Sequence, residues 1–315
     1  MAPVLIGLEE HFASAAVTDK TTLNLHMFPQ KLQDDLADLG ERRIKDMDQG
    51  NMEIQVISHF PAVTPPETCR AVNDGLFEAV NKSNGRFRGF ACLPIGEPQE
   101  CPKELERCVK ELNFVGALVG NHANGRFFDG PEYWPMFEKA QELDVPIYIH
   151  PTSAHEFDRF AGNYDNIAQT LIAGPALCWH TEIAMHFLRL FASGLFDHVP
   201  RVKIILGHNG ESMPFMRDRI DKFFSRRWGG KTKRDFITVW HENVWITTSG
   251  FFHLGPLKTC LEMCKPDRVM YSLDYPYEDT KEGLEFMVEL ESSGLVTKEQ
   301  FEMICSGNAR KLLRL

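Results

Sequence analysis

Four apolar runs spread along this chain each end in a side chain of the kind that binds metal ions. Val4–Leu8 leads into Glu9-Glu10-His11, Pro146–Ile149 into His150, Val202–Gly207 into His208, and Val269–Leu273 into Asp274. Few folds bring four such distant points together. A parallel (β/α) barrel does, because it collects the C-terminal ends of its strands around one pit. The sequence therefore reads as one metal site assembled from distant pieces.

The runs belong to a longer series. Strand-length apolar segments also occur at Ile54–Ser58, Phe87–Pro94, Val115–Val119 and Val244–Thr248, which makes eight in all. They are near-continuously apolar, as expected for strands covered on both faces. Amphipathic helical stretches separate them: Thr68–Asn81, Glu100–Leu112, Glu132–Leu143, Glu182–Ser193, Pro214–Phe224, Gly255–Cys264 and Glu282–Ser292, with Lys298–Leu313 last. The alternation predicts an α/β fold, a (β/α)8 TIM barrel formed by residues 1–315 as a single domain. No GxGxxG follows the first strand, which weakens an open dinucleotide-binding sheet. Two segments exceed the minimal barrel: Ala13–Asp46, with a helical stretch over Gln30–Asp46, and the polar, aromatic Ser153–Gly174. Both are expected as loop insertions at the catalytic mouth.

Composition narrows the function. The 315 residues are 43% apolar and 25% charged, enough to bury a sizeable core. Net charge is −10 with no basic block, so nucleic acid is not an expected partner. No apolar stretch approaches the roughly 20 residues that span a bilayer, and no signal peptide is read at the N-terminus. The eight cysteines form no CxxC pair and read as reduced core thiols of a cytoplasmic protein.

The donors suit metal chemistry. Glu9 and His11, two apart on an extended segment, project to one side and can reach one ion. His150 and Asp274 each stand close before a proline, Pro151 and Pro276, which ends a strand. His208 opens Gly207-His208-Asn209-Gly210-Glu211, where Glu211 is placed to orient its ring. Mixed imidazole and carboxylate donors suit Zn²⁺, Mn²⁺ or Fe²⁺ better than Ca²⁺. The candidates exceed the usual ligand count, so Asp274 and His208 are assigned to acid–base work. His59 and His122 follow the second and fourth strands and are candidates for lining the pocket. His26, His155, His186, His198, His241 and His253 lack ligand spacing and read as surface or packing residues. Phe223, Phe224 and Trp228 read as core or subunit contact.

At these residues the chain resembles the amidohydrolase superfamily, and within it the metal-dependent non-oxidative decarboxylases related to aminocarboxymuconate-semialdehyde decarboxylase. The opening Glu9-Glu10-His11-Phe12 is similar to γ-resorcylate, 2,3-dihydroxybenzoate and salicylate decarboxylases. So are Val145–Pro151, Ala192–Asp197, Ile205–His208, Thr247–Gly250, Asp274-Tyr275-Pro276 and Asn308–Leu312. The resemblance implies metal ligation by Glu9, His11, His150 and Asp274, with His208 and Glu211 as an acid–base dyad. It implies one divalent ion, with Zn²⁺ expected and Mn²⁺ or Mg²⁺ as alternatives. It further implies a homodimer or homotetramer in which Arg219 reaches a neighbouring subunit's site. The loops carrying His59, Asn121 and His122 depart from the family pattern where substrate is expected to sit. No lysine ends the fourth strand, so a two-metal site bridged by a carboxylated lysine is not expected.

The leading expectation is decarboxylation of an ortho-hydroxylated aromatic acid, a small-molecule substrate, with Asp274 supplying a proton. Asp274 then needs a raised pKa in a desolvated site. The competing expectation is a metal-dependent hydrolase or hydratase acting on a lactone, amide or enol.

Overall fold

An apolar run becomes a central strand when packing covers both its faces, and all eight runs do so here. The computed structural model describes residues 3–18, 28–227 and 232–315. Its strands are β1 (Leu5–Phe12), β2 (Met52–His59), β3 (Phe87–Ala91), β4 (Gly116–Gly120), β5 (Pro146–His150), β6 (Lys203–Leu206), β7 (Val244–Thr247) and β8 (Val269–Met270). They pair in parallel in chain order, β1 to β8, as the alternation predicts. Ile6, Leu8, Ile54, Val56, Phe90, Leu118, Tyr148, Ile205, Trp245 and Met270 fill the interior, joined by Ala309, Leu312 and Leu313 of the last helix. The other strand faces pack against the surrounding helices in a second, larger core. Each buried Leu, Ile or Val side chain contributes roughly 1.5–3 kcal/mol.

Side chains make much of the closure between β1 and β8. The Glu10 carboxyl group accepts the N–H groups of Leu273 and Tyr275, each at 3.1 Å, and the Ser272 hydroxyl at 3.1 Å. The same hydroxyl accepts from the N–H groups of Leu8 (2.9 Å) and Glu9 (2.7 Å). One backbone bond, His11 N–H to the Tyr275 carbonyl at 2.7 Å, completes the seam. Glu10→Ala would strand two buried N–H groups and a hydroxyl at about 1–3 kcal/mol each. A loss of roughly 3–9 kcal/mol is expected in urea unfolding. A midpoint like that of the parent protein would show that the seam does not depend on Glu10.

Some helices differ from expectation. The stretch expected over Gln30–Asp46 is two helices, Gln30–Ala37 and Glu41–Gln49. The last stretch is broken by a π-turn at Met303–Gly307. Helices at Asn166–Ala173 and Phe236–Asn243 were not anticipated; an Asp caps each, Asp165 and Asp235, accepting a backbone N–H. Among the described residues no helix is long and apolar enough to cross a membrane. His26 and Trp228 lie outside the described residues.

Candidate metal and acid–base site

Strand register brings the donors to one level. His11 is paired with Ser58 across β1 and β2, and Gly120 with His150 across β4 and β5. Glu9, His11, His150 and Asp274 each offer a ligand atom, and these atoms lie within 4.8 Å of one another. Glu9 Oε1 is 2.9 Å from His150 Nε2, and His11 Nε2 is 3.3 Å from Asp274 Oδ1.

The outer nitrogens of the two imidazoles are engaged. His150 Nδ1 is 2.7 Å from the Pro151 carbonyl, to which it donates. His11 Nδ1 is 3.3 Å from the Ser58 hydroxyl. Both leave Nε2 facing the cluster, the usual arrangement behind a metal-binding imidazole. Glu9 Oε1, His11 Nε2 and Asp274 Oδ1 are buried without a well-formed hydrogen bond among the described residues. Buried polar atoms seldom go unsatisfied. Three of them converging on one point, with two carboxylates and two imidazoles, fit a divalent cation.

A second group adjoins the first. His208 Nδ1 is 2.8 Å from Glu211 Oε1, as the dyad expectation requires, and His208 Nε2 is 3.7 Å from both Glu9 Oε1 and Asp274 Oδ2. His180 was missed in the sequence; its Nδ1 lies 2.6 Å from Glu211 Oε2. It sits in the first turn of the helix Cys178–Ala192, with no strand end to signal it. Tyr148 also donates its hydroxyl to Glu9 and sits 2.7 Å from Thr247 Oγ1.

Backbone strain concentrates here. His208, Asn209 and Glu211 have φ of 47°, 55° and 56°, and Asp274 has φ of 74°. Left-handed conformations of this kind at non-glycine residues cost about 1–3 kcal/mol each and cluster at functional sites.

The electrostatics correct one expectation. Burial alone would raise the Asp274 carboxyl, but His11 and His208 beside it outweigh burial and hold it below its ordinary value. The raised pKa expected for a resident acid is therefore not found. Burial opposes charge on His208, yet Glu9, Glu211 and Asp274 together raise it well above the ordinary imidazole value. Burial likewise opposes ionisation of Glu9, and His208, His150 and His11 pull it well below the ordinary carboxylate range. Of these three groups, His208 is the one whose surroundings favour the protonated form.

The remaining predicted residues lie outside both groups. His59 packs edge-on against Phe12 at 5.4 Å, and burial drops its pKa to about 4. Asn121 Oδ1 is 3.1 Å from His186 Nδ1, and His122 Nε2 is 3.5 Å from Thr152 Oγ1. Arg219 is exposed on the helix Met213–Asp221, its guanidinium 5.0 Å from the Phe223 ring centroid. His155 and His253 are exposed, whereas His186 is buried and accepts the Phe128 N–H at 3.0 Å. Phe224 packs 5.5 Å from Phe191 in the outer core.

An eight-stranded parallel barrel with a four-donor cluster at its C-terminal rim defines a metal-binding barrel enzyme. The chain belongs to the amidohydrolase family, whose pattern matches residues 26–315. It is 45% identical to the decarboxylase orsB of Emericella nidulans, across 100% of this chain and 98% of that protein. A dihydroxybenzoic acid decarboxylase from a Polaromonas species, solved with manganese and the inhibitor 2-nitroresorcinol, superposes with a TM-score of 0.88 at 35% identity, covering 99% of this chain and 97% of that one. A 2,6-dihydroxybenzoate decarboxylase solved with 2,6-dihydroxybenzoate gives a TM-score of 0.88 at 34% identity, covering 99% and 100%.

Proposed function

We propose that this protein is a carboxy-lyase that removes CO₂, without oxidation, from an ortho-hydroxylated aromatic carboxylic acid of the hydroxybenzoate type. The observation that carries the reading is the convergence of Glu9, His11, His150 and Asp274 beside His208, in a chain similar over its whole length to aromatic-acid decarboxylases.

Glu9, His11, His150 and Asp274 would hold one divalent ion. Bound there, such an ion would supply Lewis acidity that polarises the oxygens of an anionic aromatic acid. The donor set suits both Zn²⁺ and Mn²⁺, and the Polaromonas enzyme was solved with manganese; reconstituting stripped protein with each ion separates them.

The chain's own residues manage the proton. Glu211, braced by His180, keeps His208 charged and its ring fixed. His208 Nε2 at 3.7 Å can hand its proton to Asp274 Oδ2. Asp274 is the group placed to deliver it to the ring carbon bearing the carboxylate. Protonation there breaks aromaticity, and departure of CO₂ restores it, so no organic electron sink is needed. The test is a screen of hydroxybenzoates for CO₂ release, before and after chelation. Release by metal-loaded protein alone is expected; turnover without CO₂ would favour a hydrolase or hydratase.

The same reading takes residues 1–315 as one catalytic domain working in the cytoplasm as a homodimer or homotetramer. Phe215, 81% exposed, stands one helical turn before Arg219 on the helix Met213–Asp221, an exposed apolar side chain that suits a second subunit. Arg219→Ala is expected to lower kcat/KM by about 10–100-fold, the loss of one charge-assisted hydrogen bond to an anionic substrate. Sedimentation of the parent protein as a fully active monomer would contradict this.

A further inference from the structure

Three aromatic rings form a wall on one side of the metal-type cluster. The centroids of Phe60 and Tyr277 lie 6.2 and 5.9 Å from that of His11. Phe28 lies 6.4 Å from Phe60 and 5.8 Å from Tyr277, and Phe60 and Tyr277 are 6.2 Å apart. Tyr277 is delivered there by the turn that carries Asp274: its N–H donates to the Asp274 carbonyl at 2.9 Å.

Two of the rings are phenylalanines. The third carries a hydroxyl whose oxygen is buried and finds no hydrogen-bond partner among the described residues. A phenylalanine would fill nearly the same space without leaving a polar group unpaired, and tyrosine hydroxyls that are buried usually have a partner. A buried donor beside the reacting centre, with apolar rings around it, is the arrangement by which a site recognises one polar substituent on an otherwise apolar ligand.

We infer that Tyr277 is a specificity-determining residue, its hydroxyl donating a hydrogen bond to a second ring oxygen of the aromatic acid while Phe28 and Phe60 pack against the ring. The first ring oxygen is the one ortho to the carboxylate. This rests on the reading of the site as one for hydroxylated aromatic acids. It goes further in stating that the protein selects dihydroxylated over monohydroxylated acids, and by which group. A site built to bond a substrate hydroxyl discriminates strongly against the analogue that lacks it.

The test uses unreactive probes, so it does not depend on turnover. Mn²⁺-loaded protein is titrated calorimetrically with 2-nitrophenol, 2-nitroresorcinol and 4-nitroresorcinol. The last two add one hydroxyl, beside or opposite the nitro group. The parent protein is expected to bind one of the two resorcinols about 10-fold or more tighter than 2-nitrophenol. Tyr277→Phe is expected to bring that preference to within about twofold, with 2-nitrophenol affinity, metal content and thermal midpoint unchanged. Which resorcinol is preferred identifies the ring position read. A preference that survives Tyr277→Phe overturns the inference, as does equal weakening of all three probes with a lowered thermal midpoint, which marks a structural role. If none of the probes binds the parent protein, the aromatic-acid reading itself fails and the inference falls with it.

Discussion

Asp274→Asn is expected to lower turnover by about 10²–10⁴-fold, the usual contribution of a general acid or base, while retaining much of the bound metal. Asparagine keeps an oxygen and nearly the same shape. It also tolerates the left-handed backbone that Asp274 adopts at φ 74°, so the turn should survive. What it cannot do is carry a proton between His208 Nε2, 3.7 Å from Asp274 Oδ2, and the substrate. The assay is the rate at saturating metal. Near-parental turnover in excess metal would make Asp274 a ligand only and leave His208 to deliver the proton directly.

His150→Ala is expected to lose metal and activity together. Even residues behind a metal ligand typically cost 10–100-fold in affinity when changed, so removing the ligating nitrogen should cost about 100-fold or more. His150 is held for that role: its Nδ1 is tied to the Pro151 carbonyl at 2.7 Å, and Nε2 lies 2.9 Å from Glu9 Oε1. The loss leaves two carboxylates opposite a single remaining imidazole. Elemental analysis should find one equivalent of metal per parent chain and little in the variant. Parental occupancy in His150→Ala would place His150 outside the coordination sphere.

Most of the barrel was legible because its strands are buried on both faces, which writes each as an unbroken apolar run. The donors were legible because each closes such a run. β3 and β8 came out shorter than expected, Phe87–Ala91 against Phe87–Pro94 and Val269–Met270 against Val269–Leu273. Beyond Met270 the chain turns to serve Glu10, whose partners lie 262 to 265 residues away in sequence, and no local pattern records that. His180 was equally hidden, since only the folded chain brings it to Glu211. The helix breaks at Asp38–Gly40 and Met303–Gly307 were hidden by amphipathic patterns that continue across them. The charge of Asp274 was misjudged for another reason. Burial was foreseeable, but its sign of effect is decided by His11 at 3.3 Å and His208 at 3.7 Å, and those distances exist only in the fold.

In the proposed reaction the site breaks a carbon–carbon bond and puts a proton in its place. Metal-loaded protein should be run in D₂O with a dihydroxybenzoate labelled with ¹³C at the carboxyl carbon, alongside a chelated control. The expected products are ¹³CO₂ and the corresponding phenol in equal amounts, with one deuterium at the vacated ring carbon, and neither product in the control. Consumption of substrate without ¹³CO₂, or phenol formed equally well after chelation, would contradict it.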